Sequence, residues 1–84
     1  MILIACAVRD SAVDAFMRPF HVPSTGMAVR SFRDEVNNPE SPMHKHPEDF
    51  ELFELGTFDE ESGKMENLSS PRSLARAKDF KEVR

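Results

Sequence analysis

The sequence predicts an α+β protein: a small, mainly antiparallel sheet in the order strand, strand, helix, strand, strand, with one helix packed on one face. Three observations predict it. Ile2 to Val8 is apolar on both alternating sets, as a strand covered on both sides requires. Ala28, Val29, Phe32 and Val36 recur at spacings of three and four and make the one clear helical stripe in the body. Phe50 to Phe58 is strand-like and runs into Asp59-Glu60-Glu61-Ser62-Gly63, a turn that would return the chain as a hairpin.

The elements follow in order. After the first strand, Arg9-Asp10-Ser11 is a polar break. Ala15 to Val22 alternates Phe16, Arg18, Phe20 and Val22 against Met17, Pro19 and His21. Pro19 has no N–H to give a ladder, so this second strand is an edge or is broken there. Pro23-Ser24-Thr25-Gly26 opens the helix with Ser24 or Thr25 as its N-cap. Arg30 falls off the apolar stripe within reach of Asp34, one turn on. Asn37-Asn38-Pro39 closes the helix, because asparagine tolerates a left-handed cap and proline cannot continue. Pro39, Pro42 and Pro47 then mark residues 39–48 as a loop. In the third strand, adjacent Leu52 and Phe53 break strict alternation and suggest a bulge or burial on both sides. Lys64 to Leu68 is a short fourth strand, with Gly63 free to take a positive φ in the turn before it. Beyond Ser69-Ser70-Pro71 the apolar content drops. The division expected is therefore a single α+β domain over 1–68 and a basic tail over 69–84, flexible or weakly helical.

Eighty-four residues make one domain at most. A chain this short buries only roughly 60–65% of its unfolded surface, so the core is thin and an additional interface, including a homo-oligomer, would help it. One cysteine, Cys6, rules out an intramolecular disulfide. The seven-residue apolar run is too short to cross a bilayer and lacks the basic segment of a signal peptide. The chain therefore reads as cytosolic, with no membrane contact. Its net charge of −4 is unevenly spread. Residues 1–70 hold six Lys or Arg against thirteen Asp or Glu; residues 71–84 hold Arg72, Arg76, Lys78, Lys81 and Arg84 against Asp79 and Glu82. Either the tail folds back on its acidic body or simply stays solvated, or it reaches phosphate.

Few residues offer chemistry. His44 and His46, with Glu48 or Asp49 nearby, have metal-ligand character, but the pair sits among prolines and reads as solvated loop histidines, so no metal or cofactor is expected. Asp10 and Asp14 belong to a turn, where aspartate bonds its own backbone. Cys6 lies among Ile4, Ala5, Ala7 and Val8, where burial suppresses thiolate formation. Gly26, Gly56 and Gly63 are isolated and form no phosphate-cradling loop. Nothing forms a catalytic set, so the protein is expected to bind and not to catalyse. Glu48, Asp49, Glu51, Glu54, Asp59, Glu60 and Glu61 run without an intervening cation and form an acidic edge, either a guard against strand pairing or a docking surface for a basic protein. The candidates for nucleic-acid contact are Arg18, Arg30, Arg33, Arg72, Arg76, Lys78 and Lys81, beside exposed phenylalanines that stack on bases.

Three stretches together carry a resemblance. They are Val8-Arg9-Asp10-Ser11 with Phe16-Met17-Arg18-Pro19-Phe20, the helix from Ala28 to Asn37, and His46-Pro47-Glu48-Asp49-Phe50-Glu51-Leu52-Phe53-Glu54-Leu55-Gly56-Thr57-Phe58-Asp59. The chain resembles the small nonstructural protein of the gokushoviruses, the Microviridae branch of single-stranded DNA phages. Ser62-Gly63-Lys64 supplies the Gly-Lys hairpin of that pattern, and the likeness covers roughly residues 1–68. It implies an accessory protein in the cytoplasm of the infected bacterium, acting in genome replication or packaging through single-stranded DNA or through phage replication or prohead proteins. The alternative is a regulator that binds protein through the acidic edge and leaves DNA alone.

Overall fold

The structure, a computed structural model, describes residues 1–80. Five strands form one sheet: β1 (Ile2–Asp10), β2 (Ala15–Phe16), β3 (Phe20–Val22), β4 (Phe50–Asp59) and β5 (Met65–Arg76). Two helices, α1 (Thr25–Val36) and α2 (Pro42–Lys45), and two 3-10 turns, Pro47–Asp49 and Ala77–Asp79, complete the α+β fold. The order across the sheet is β2-β1-β4-β5, with β3 also on β1, and every pairing is antiparallel. The doubly apolar β1 is central, as its composition requires. Pro19 divides the second strand into β2 and β3, which pair the end and the middle of β1 respectively.

Helix α1 follows its stripe. Ser24 Oγ accepts the Met27 N–H at 3.3 Å, and Ala28, Phe32 and Val36 are buried. Asn37 ends the helix at φ −92°, so the chain leaves through an ordinary backbone conformation and not through the left-handed cap expected of asparagine. The proline-rich segment departs from a plain loop. Pro42 and Pro47 stand at the first turns of α2 and of the following 3-10 turn, where a missing N–H costs nothing. Ser41 caps α2 by accepting the Met43 N–H at 3.1 Å, and both residues are buried. Prolines that break a helix and prolines that begin one look alike in sequence.

The core lies on one face of the sheet. Cys6 and Val8 of β1, Phe50 and Leu52 of β4, and Ala28, Phe32 and Val36 of α1 pack with Met43 and Ala77, and Ile4, Phe20, Val22 and Val29 border them. Phe53, adjacent to Leu52, points to the opposite face and not to the helix, and of the two readings of this pair the bulge holds: the β4–β5 register shifts between Leu52 and Phe53, with Leu74 the extra residue on β5. Leu55 is the extra residue of a bulge, since Ala5 pairs Gly56 while Cys6 pairs Glu54.

The largest correction concerns the expected tail. Residues 69–76 belong to β5, and Ala77 is fully buried. Phe80 meets Phe32 edge-on, 6.3 Å between centroids, so residues 69–80 close the core and are part of the domain. Its strand character was concealed by a wide bulge. Gly56 pairs Asn67 and Glu54 pairs Arg72, so Leu68 to Pro71 stand opposite Leu55 alone before pairing resumes. Lys81 and Arg84 lie outside the described residues.

Candidate nucleic-acid interface

Both helices and Ala77 share the core face, and among the described residues no helix packs on the other face of the sheet. The least dimension of the molecule, 18 Å, fits one helix layer on one sheet. Register places the residues of the open face in rows. One end carries Phe16, Arg9, Glu51 and Arg76 side by side across β2, β1, β4 and β5. In the next row Ala7 pairs Phe53. Because Ala7 is small, the Phe16 ring reaches across and meets Phe53 edge-on at 5.5 Å. Further along, His21 and Gly56 both oppose Ala5, and the His21 ring lies 5.6 Å from that of Phe58. Two ring pairs thus spread over a strip of alanines, with a charged row of Arg9, Glu51 and Arg76 at one end. Ala5 and Ala7 are buried, while Phe16 stays 43% exposed.

The charged candidates divide into groups that the linear sequence does not show. Acidic β4 lies between β1 and β5, so Glu51 and Glu54 are not on a sheet edge as expected. They point to opposite faces and are matched by the strand beside them. Arg72 donates to Glu54 Oε1 from Nη2 at 2.5 Å and Nε at 3.2 Å, on the core side. Arg76 lies 3.8 Å from Glu51 on the open side, where Ser73 also donates to Glu51. The acidic strand and the basic segment neutralise each other, which accounts for much of the charge asymmetry. Asp59, Glu60 and Glu61 stand apart at the hairpin turn, where Met1 and Glu61 approach at 4.0 Å. Glu48 and Asp49 lie in the 3-10 turn before β4.

Among the described residues, Arg18, Arg30, Arg33, Lys45 and Lys78 enter no ion pair, and the expected Arg30–Asp34 pair is not formed. Arg30 and Arg33 belong to α1, the layer away from the open face, so they do not join the aromatic strip. Arg18 lies in the turn between β2 and β3, near Phe16 in sequence. Arg9 pairs with Asp14, itself at φ 56° in the β1–β2 turn. The functional candidates that sequence reasoning missed are Arg9, His21, Phe53 and Phe58. Their shared parity would have revealed them only with the β1–β4 register, which the bulge at Leu55 shifts.

Two titrations are perturbed. Burial pushes the Cys6 thiol up, and the Glu54 carboxylate adds to that, so the thiol is a packing group. The Glu61 N–H, bonded to Asp59 Oδ1 at 2.9 Å, holds the Asp59 carboxyl below its ordinary value. No helix among the described residues is long and apolar enough to cross a membrane. No curated protein and no solved structure matches the chain. The family model described as "Phage ORF5 protein" matches residues 3–80, nearly all that the structure describes, and the chain belongs to that phage family.

Proposed function

We propose that this is a nonstructural phage accessory protein of the gokushovirus type, acting in single-stranded DNA replication or packaging in the cytoplasm of the infected bacterium. It does so by laying a single strand along the open sheet face, and it performs no catalysis. The observation that carries this reading is the pair of ring contacts, Phe16–Phe53 and His21–Phe58, on a face where no helix packs among the described residues, beside the row of Arg9, Glu51 and Arg76. Every base has a π face, so aromatic platforms bind single strands with little regard to sequence, and the few cations beside them add short-range contacts to phosphate. Duplex DNA lacks exposed base faces and gains only the charge term.

The test is fluorescence anisotropy of labelled single-stranded and duplex oligonucleotides with the full chain. Phe53→Leu preserves apolar volume while removing the ring, so it should weaken single-strand binding by about tenfold, within the roughly 1–3 kcal/mol that stacking contributes per base. Its fold should persist, because Phe53 lies outside the core cluster. Equal affinity for wild type and Phe53→Leu would exclude the open face. Absence of binding at low salt would leave contacts with phage replication or prohead proteins as the route.

A further inference from the structure

At the charged end of the open face, a cleft of about 230 Å³ opens between the end of β1, the Pro47–Asp49 turn and the end of β5. Arg9, Arg76 and Lys78 line it together with Glu48, Asp49 and Glu51. The two signs balance, so a bare phosphate entering the cleft meets as much repulsion as attraction. The rim at the Pro47–Asp49 turn, where Glu48 and Asp49 line the cleft and the exposed His46 stands just outside it, has the means to change that. His46, Glu48 and Asp49 bring an imidazole nitrogen and two carboxylate oxygens within 4.8 Å of one another. Among the described residues neither Glu48 nor Asp49 enters an ion pair, although Arg76 and Lys78 share their cleft. The turn is fixed by its backbone: Asp49 N–H donates to His46 O at 3.0 Å, and Ser11 N–H donates to Asp49 O at 2.8 Å. The two histidines are not equivalent, since His44 Nδ1 lies 2.9 Å from Val36 O and is occupied there.

We propose that His46, Glu48 and Asp49 hold a divalent first-row metal ion, and that this ion with Arg76 and Lys78 takes a phosphodiester group in the cleft. Mixed imidazole and carboxylate donors suit ions such as Mn²⁺, which binds through few protein ligands and keeps positions open for phosphate oxygen. The ion neutralises the two carboxylates of the acidic rim, which leaves Arg9, Arg76 and Lys78 opposed by Glu51 alone, and the cleft becomes an anion site continuous with the row that precedes the Phe16–Phe53 pair. The source of the phosphate rests on the single-strand reading above, whereas the metal site stands on its own three residues.

The metal part is tested by titrating Mn²⁺ into the full chain and reading free Mn²⁺ by electron paramagnetic resonance. One saturable site is expected, weakened at least tenfold in His46→Ala and in the Glu48→Gln/Asp49→Asn double variant. These side chains are outside the core, and unchanged far-UV circular dichroism would confirm folding. No saturable site, or one of equal affinity in both variants, overturns the proposal. The phosphate part is tested by oligonucleotide anisotropy in Mn²⁺ and in EDTA at equal ionic strength. Mn²⁺ should tighten single-strand binding at least fivefold in the wild type and leave the double variant unchanged. Binding that is identical in Mn²⁺ and EDTA overturns the phosphate bridge while leaving the open-face reading intact. If no oligonucleotide binds in either buffer, the phosphate bridge and the open-face reading both fail, and the Mn²⁺ titration alone still decides the metal site.

Discussion

Gly56 shows how one residue holds two strands in place. A Cβ there would sit 2.1 Å from Glu66 O and 2.9 Å from Asn67 Cα, both backbone atoms of β5. No rotamer change relieves such a contact, so β5 itself would have to move. Gly56→Ala should therefore cost about 2–3 kcal/mol, in the range of an overpacked core, measured as a lowered urea midpoint. Asp59 acts at the other end of the same strand. Its carboxyl titrates below 3.8 in the folded chain because the Glu61 N–H favours the charged form. A lowered folded pKa adds stability that is present above the unfolded value and is lost as pH falls through the folded one. Thermal melts between pH 5 and pH 2 should show an acid-dependent fall that is shallower in Asp59→Asn. Equal slopes in the two proteins would detach the turn from this titration.

Among the elements, β5 with its following 3-10 turn carries the clearest expectation. Leu74, Ala75, Ala77 and Phe80 all touch the core cluster, and Arg72 covers the nearly buried Glu54. Removing residues 72–84 should lower the melting temperature by more than about 10 °C, the shift expected in a domain this small from a loss of ~2 kcal/mol. A dispensable tail would leave the melt unchanged, so differential scanning calorimetry separates the two. The helix and β1 were legible because their patterns are local: a 3.6-residue stripe and an apolar run each report burial by themselves. The far half of β5 was not legible, because Leu74, Ala75 and Ala77 among charged residues match a weak helix as well as a strand. What selects the strand is its partner, Glu51 and Glu54 across the ladder, and no local spacing encodes that. Likewise, the candidate interface was legible only as a list of arginines and phenylalanines. The register that puts Arg9 beside Phe16, and Phe53 beside Ala7, depends on bulges the sequence only hinted at.

At the scale of the molecule, charge decides how a nucleic acid would be met. The net charge is −4, and Arg9, Arg72 and Arg76 are already engaged by Asp14, Glu54 and Glu51. Long-range attraction is weak, so affinity should come from stacking and from a few short-range cations. If three or all of Arg9, Arg18, Arg76 and Lys78 meet phosphates, the log–log salt slope should be about −2 to −3, at ~0.7 per contact for single strands. Anisotropy titrations from 50 to 300 mM salt would measure it. A slope near zero would mean that stacking acts alone, while a slope steeper than about −5 would bring in cations of the helix layer, Arg30 and Arg33.

The wide bulge at Leu68 to Pro71 separates the Met65–Asn67 ladder from the one that begins at Arg72, itself interrupted once more at Leu74, and each side is keyed to β4 on its own. Length is thus insulated from alignment at that point, much as an expansion joint isolates two spans. Extra residues placed between the exposed Ser69 and Ser70 should lengthen the bulge and leave the Glu54–Arg72 and Gly56–Asn67 pairings where they are. The same insertion between Phe53 and Glu54 has no slack to enter, and would turn the following side chains to the wrong face. A short peptide tag at Ser69 should therefore keep the native amide spectrum beyond its immediate neighbours, which makes this the place to attach a reporter without disturbing either face of the sheet.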